Sequence, residues 1–243
     1  MRIIKVDAIE STNTFLRNLY RSNDCNEITA VIANQQTAGR GQKGTIWQSQ
    51  IGENLTCSIL IPDLKLQISR QFDISIVVSL ILLNVLNLKN VPNLSVKWPN
   101  DILSDSKKIA GILIENIVAE TYITATIIGI GLNVNQTIFE NLPKASSLRL
   151  IKNKSYEIES IFAEITDVFQ ERFRNMLRIK FDELRKSYET YLFKKGKVMR
   201  FKTHENLMLT GVIRGINSLG QLEILSEDGS KKNFNLKEIS LFY

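Results

Sequence analysis

Apolar positions change their spacing along this chain, and each change marks an element. Over residues 157–177 the apolar side chains Ile158, Ile161, Phe162, Ile165, Val168, Phe169, Phe173, Met176 and Leu177 step by three and four, which predicts an amphipathic helix. Phe15, Leu16 and Leu19 repeat that spacing over 14–20, with Ser or Thr available upstream as N-cap. Residues 69–88 are apolar almost throughout, the pattern of a helix buried on all sides, and 180–191 predict a further helix. Short β-branched runs at 28–33, 54–61, 94–98, 108–118 and 122–134 predict strands; Pro62 stops the second of them. Past Lys194-Lys195-Gly196 only short strands follow, at 197–202, 207–216, 219–225, 232–235 and 239–242, with Asp228-Gly229 as a hairpin turn. The expected architecture is α+β: a mixed β-sheet with helices on one face over 1–193, then a small barrel-like β domain over 194–243.

Composition narrows the chemistry. The 243 residues suit one large domain, or a large one plus a small one. The chain has one histidine, His204, and two cysteines, Cys25 and Cys57. A zinc site of His and Cys needs three or four ligands, and these three residues are scattered. A Ser-His-Asp triad would have to use His204, which lies near no Gly-x-Ser-x-Gly turn. No metal-ligand set is identifiable. The net charge of +6 invites a nucleic-acid reading, but the densest basic run (Lys194, Lys195, Lys197, Arg200, Lys202) is short. The N-terminus lacks a secretory pattern, and the apolar run at 74–88 is too short for a bilayer and carries Ser75, Ser79, Asn84 and Asn87. No membrane association is expected, and the cytoplasm is the expected compartment.

Four segments hold more Gly, Lys, Asn and Trp than packing explains. In Gly39-Arg40-Gly41-Gln42-Lys43-Gly44-Thr45-Ile46-Trp47, backbone N–H groups and two cations can face an anion. This is neither a Walker A loop nor a Rossmann fingerprint. Lys97-Trp98-Pro99-Asn100-Asp101 ends a strand and leaves Asn100 and Asp101 available there. Lys108-Ile109-Ala110-Gly111-Ile112-Leu113-Ile114-Glu115 opens a strand with lysine and carries a glycine that permits close approach. Gly129-Ile130-Gly131-Leu132-Asn133 has two glycines inside an apolar strand. Taken singly, each has a bland reading as a turn, a solvated strand end or a packing glycine.

In this order and spacing, with Ser11-Thr12-Asn13 ahead of them, the four segments resemble the biotin–protein ligases. The resemblance implies a class II synthetase-like catalytic domain and a C-terminal SH3-like β-barrel. It implies biotin and ATP as substrates with Mg2+, biotinyl-5′-AMP as intermediate, and a lysine of a biotin carboxyl carrier protein, in acetyl-CoA carboxylase or a related carboxylase, as acceptor. By resemblance Lys108, Arg40 and Asp101 are catalytic. Ser11, Thr12, Asn13, Gln36, Gly39, Arg40, Gly41, Lys108 and Gly111 match the biotin site. Lys43, Trp47, Lys97, Asn100, Gly131 and Asn133 match the nucleotide side, and 137–148 falls where the family has an adenine-side loop. A carboxylate is already ionised at neutral pH, with a pKa of about 4, so adenylation needs cations and donors but no histidine base.

Two positions depart from the family. Many members carry arginine where this chain has Gln42 and Thr45. Fewer cations in the loop weaken its hold on an acyl-adenylate, although Arg40, Lys43 and the backbone donors remain. The Ser11 element starts almost at residue 1, so no DNA-binding helix-turn-helix of the kind some members carry is expected. The nearest alternative is a lipoate or octanoate ligase or transferase of the same fold, which would want a longer apolar tunnel. A non-enzymatic RNA-binding protein is the other, and it would want aromatic residues clustered on the small domain, where Phe201 and Phe234 are isolated. A sheet edge is available to a second copy, as a homodimer, or to the carrier.

Overall fold

The computed structural model describes residues 1–242, with the backbone alone at Lys43. Eight strands make one mixed sheet: β1 (Arg2–Ile9), β2 (Thr29–Gln36), β3 (Asn54–Ile61), β4 (Leu66–Gln67), β5 (Leu94–Lys97), β6 (Asp101–Ser104), β7 (Lys107–Ala119) and β8 (Tyr122–Asn133). Their order is β1-β2-β3-β8-β7-β6-β5, with β4 against the far end of β8. Only β1 and β2 run parallel; the other ladders are antiparallel. β3 occupies the predicted residues, and β7 and β8 match to within a residue at each end. β1 and β6 were not predicted. β1 is an edge strand whose side chains are mostly exposed, so its alternation is weak. β6 is four residues long and follows β5 through a turn at Trp98, Pro99 and Asn100.

Strand alternation decides what each face carries. β3 sends Leu55, Cys57, Ile59 and Ile61 to the face covered by α2 (Gln71–Leu88), α4 (Ile158–Met176) and α5 (Phe181–Thr190). Its Leu60 points the other way and joins Val31, Ala125 and Ile127 under α1 (Thr12–Arg21). Helices therefore flank both faces, which corrects the one-face expectation. The α1 face has a small apolar cluster because the rest of that face is given to a cavity. α2 is buried nearly all round, as its continuous apolar pattern predicts. It is long and apolar enough to cross a membrane, but here it is a core helix packed on the sheet, α4 and α5. The five-residue α3 (Leu148–Lys152), too short for any period to show, is capped by Ser147, whose hydroxyl accepts from the Leu150 N–H.

The C-terminal strands β9 (Val198–Thr203), β10 (Met208–Ile216), β11 (Leu222–Ser226), β12 (Lys231–Phe234) and β13 (Ile239–Phe242) form an antiparallel sheet in the order β12-β11-β10-β9-β13. The expected small β domain is this five-stranded antiparallel sheet, whose end strands β12 and β13 are not paired with each other among the described residues. β12 carries exposed Lys231, Lys232 and Asn233, the polar edge that discourages further pairing. This sheet is packed firmly on the first. Phe201, Ile213, Ile216, Leu222 and Ile224 belong to the same buried cluster as α2 and α5. Trp98 Nε1 donates to the Gly220 carbonyl at 2.8 Å, and the Ile216 N–H donates to Glu189 Oε1 at 3.0 Å. Gly220 has φ +78, and a Cβ there would lie 2.1 Å from the Phe72 ring, so glycine is required on both counts.

Candidate active site

A cavity of about 600 Å³ opens on the α1 face of the large sheet and runs to the C-terminal sheet. Its floor follows from alternation on β8. Ile128, Ile130 and Leu132 face the α2 layer, so Gly129 and Gly131 face the cavity. On β7, Gly111 and Leu113 pair opposite Gly131 and Gly129. The absent side chains make room for neighbours. A Cβ on Gly129 would lie 2.5 Å from Asn13 Oδ1, and one on Gly131 would lie 2.3 Å from the Trp47 ring. Trp47 thus lies across the glycine floor, with Lys108 Nζ 5.4 Å from its ring centroid.

One end of the cavity is neutral and polar. Ser11, Thr12 and Asn13 are buried where α1 begins. The Thr12 N–H and hydroxyl both donate to Gln36 Oε1, at 2.9 and 3.1 Å. The Ser58 hydroxyl sits 2.6 Å from Thr12 Oγ1 and 2.5 Å from Asn13 Oδ1, and its single proton serves one of them. Asn13 Nδ2 donates to Glu115 Oε2 at 2.8 Å. Glu115 also accepts Arg17 at 2.8 Å and Arg40 at 3.0 Å. Sequence reasoning assigned no role to Ser58, Glu115 or Arg17. Glu115 was legible by parity, since it shares the β7 face of Gly111 and Leu113; Ser58 had no comparable signal in its apolar strand.

The other end is charged. Lys97 and Asp101 pair across the β5–β6 turn, and Lys108 Nζ lies 2.7 Å from Asp101 Oδ1. A bulge in the β6–β7 ladder between Ile102 and Leu103 adjusts the register that brings Asp101 and Lys108 to one corner. Burial lowers the Lys97 pKa; Asp101 opposes this, and Lys108 and Lys144 add to it. Asn100 Nδ2 donates to the Ile112 carbonyl at 2.7 Å, so this side chain, which also borders the cavity, ties the turn to β7. Residues 39–47 form a tight loop: Gly41 N–H donates to Thr45 O at 2.7 Å, and Trp47 N–H to Gly39 O at 3.0 Å. Thr45, one of the departures, gives its hydroxyl to the Gln42 carbonyl at 2.9 Å.

Most of the residues singled out from sequence border one cavity. They are Ser11, Thr12, Asn13, Gln36, Arg40, Gly41, Trp47, Lys97, Asn100, Asp101, Lys108, Gly111 and Gly131. Two do not line it. Gly39 closes the loop by accepting the Trp47 N–H, and a Cβ there would lie 2.4 Å from the Trp47 carbonyl oxygen. Asn133 is buried, and its amide donates to the Ser146 carbonyl at 2.9 Å, pinning the segment after β8. The Lys43 side chain lies outside the described residues. Among the described residues there is no group of three or more His, Cys, Asp or Glu able to cage a metal. Among the described residues, Asp101 is the one carboxylate bordering the cavity, and it is held by Lys108. A metal ion caged by protein ligands alone does not fit this donor set.

Residues 6–133 match the Biotin/lipoate A/B protein ligase family. The bifunctional ligase/repressor BirA of Bacillus spizizenii is 31% identical over 239 residues, covering 96% of this chain and 72% of that protein. The biotin–[acetyl-CoA-carboxylase] ligase of Paracoccus denitrificans is 36% identical over 106 residues, 43% of each chain. Biotin protein ligase from Aquifex aeolicus, solved in complex with biotin and ATP, superposes with a TM-score of 0.82 at 27% identity, covering 99% of this chain and 98% of that one. The chain belongs to the biotin/lipoate A/B protein ligase family, and within it is a biotin–protein ligase.

Proposed function

We propose that this enzyme joins biotin to ATP as biotinyl-5′-AMP and then transfers the biotin to a lysine of a biotin carboxyl carrier protein. The observation that carries this reading is the polarity of the cavity: neutral donors and acceptors at one end, lysines at the other, and a glycine floor between. A ureido ring presents two N–H donors and one carbonyl, which suits Ser11, Thr12, Asn13 and Gln36. The glycine floor lets Asn13 and the Trp47 ring settle against the sheet, which leaves the space above them for the bent bicycle of biotin. The valerate carboxylate then reaches Lys108. A biotin carboxylate oxygen attacks the α-phosphorus, and pyrophosphate leaves with the bonding electron pair. Lys108 would hold carboxylate and α-phosphate together, with charge rather than a base doing the catalysis. Arg40 and the Gly39–Gly41 backbone would close over the adenylate.

In the second step the carrier lysine's amine attacks the acyl carbon, AMP leaves, and the nitrogen gives up a proton. Asp101, whose Oδ1 lies 2.7 Å from Lys108 Nζ, would receive it. Magnesium enters as the ATP salt and supplies charge neutralisation on the phosphates. Both cysteines are buried free thiols, which fits the reducing cytoplasm as the setting. The carrier is the expected macromolecular partner, and the exposed β1 edge is open to the carrier or to a second copy. Labelled pyrophosphate should exchange into ATP only when biotin is present, and a carrier domain should gain one biotin by mass spectrometry. Exchange driven by lipoate or octanoate instead would overturn the choice of acyl group.

A further inference from the structure

Among the described residues, Glu115 joins side chains from three parts of the site. Its Oε1 accepts Arg17 of α1 at 2.8 Å. Its Oε2 accepts both the Asn13 amide, at 2.8 Å, and Arg40, at 3.0 Å. Asn13 belongs to the recognition network and Arg40 to the 39–47 loop. Both border the cavity, whereas Glu115 stands behind them. One carboxylate oxygen therefore serves a fixed element and a loop at once.

Position along β7 shows what this contact does to Arg40. Lys108 Nζ lies 3.3 Å from where a Cβ on Gly111 would be, and Asp101, which holds Lys108, pairs with Gly111 in the ladder. The charged corner is thus at Gly111. Glu115 is four residues further along the strand, about 13 Å at the usual rise. With its guanidinium on Glu115, Arg40 is turned away from the corner where the adenylate phosphate would lie. The loop backbone is held by the Arg40–Ile46 bridge and by the Gly39–Trp47 bond, so the side chain is the part that can change partner. The exchange is easy on both sides. The Arg40 side chain is 44% exposed, and an ion pair so open to water is weak. Glu115 keeps Arg17 and Asn13 when Arg40 leaves. An anion in the drier cavity attracts the guanidinium more strongly.

We propose that Glu115 is a positioning residue that parks Arg40 in the ligand-free enzyme, so that loop closing is a competition between Glu115 and the acyl-adenylate for one guanidinium. The proposal rests on the adenylation reading above. Glu115 sets the threshold for closing: Arg40 stays aside while biotin and ATP enter, and it is drawn back once the carrier has taken the biotin.

The test is Glu115→Gln in the full chain, which keeps an oxygen for Asn13 and removes the charge. Release of labelled biotinyl-AMP from its preformed complex should slow about three- to fivefold, the worth of a half-exposed ion pair. In an Arg40→Ala background the same substitution should leave release unchanged, because no guanidinium remains to compete for. Faster or unaltered release in the single variant overturns the proposal. So does an equal shift in both backgrounds, which would make Glu115 merely structural. Absence of biotin-dependent exchange in the wild-type chain would instead defeat the adenylation reading. Trypsin then still decides whether Glu115 holds Arg40, since it reads the ligand-free state. Cleavage after Arg40 should quicken in Glu115→Gln relative to cuts elsewhere; cuts quickened everywhere or nowhere overturn the proposal. Salt gives the same reading with no substitution: in the wild-type chain, cleavage after Arg40 should gain on the other cuts as ionic strength rises, and no gain overturns the parking role.

Discussion

The two ends of the cavity are built on opposite physical plans. At the neutral end, Ser11, Thr12 and Asn13 are buried, and the side chains of Thr12 and Asn13 are hydrogen-bonded to Gln36, Ser58 and Glu115. Position there is set by a network in which moving one member leaves others unpaired. At the charged end, Lys108 and Asp101 are partly exposed and meet in one ion pair. That pair can be exchanged for a substrate anion, because solvent and a carboxylate compete on similar terms. The neutral end therefore suits recognition, which needs rigidity, and the charged end suits chemistry, which needs charge that can be redirected.

The largest expected effect breaks the charged end alone. Lys108→Ala should lower exchange by about 10²–10³-fold, the usual loss of one charge-stabilising donor. Biotin binding measured without ATP should change far less. Gly131→Val is the complementary break. Its side chain must displace a Trp47 ring that a Cβ would already meet at 2.3 Å. Overpacking of ~1–3 kcal/mol predicts about a ten- to hundredfold rise in biotin Kd, with kcat at saturation nearly kept. If Gly131→Val instead cut kcat and left Kd alone, the division of labour would be wrong.

Arg40→Ala lies between the two ends. Arg40 pairs with Glu115 at 3.0 Å, and Arg17 still holds Glu115 when Arg40 is removed. The neutral network should therefore survive, apparent biotin KM should rise about tenfold for one lost charged contact, and free biotinyl-AMP should accumulate in the medium. Unchanged KM without released intermediate would sink the closing role. Next comes pH. Lys97 is held below the ordinary lysine range by burial, with Asp101 opposing and Lys108 and Lys144 adding to the shift. Its cationic form exists below that pKa and disappears as pH rises through it. MgATP affinity should thus fall at a lower pH than an ordinary lysine would set, and Lys97→Arg should move that limb upward. The smallest effect is Trp98→Phe, which loses the 2.8 Å bond to Gly220. About 1 kcal/mol, or a few degrees in Tm, is expected, with exchange nearly intact.

Much of the fold was legible because burial and period agree. α2 and α4 carry long apolar patterns, and β3, β7 and β8 are long β-branched runs in the middle of the sheet. β1, β6 and α3 were not, since an edge strand, a four-residue strand and a five-residue helix hold too few buried side chains to leave a pattern. The site was legible as motifs, because glycine, lysine and asparagine stand out within apolar runs. Its partnerships were not. No motif shows that Asn133 holds the Ser146 carbonyl, or that Ser58 and Glu115 hold the polar network from within strands.

By itself, the sequence determined which residue types were available: one histidine, lysines at strand ends, and glycines spaced by two. It also determined the local periods that make helix or strand, because those depend on neighbours along the chain. Only the tertiary structure decided that Gly111, Gly129 and Gly131 share one floor, that helices cover both faces, and that the C-terminal strands take the order β12-β11-β10-β9-β13. Those outcomes depend on register and on which face of a strand meets which helix, contacts between residues far apart in the chain that no local pattern records.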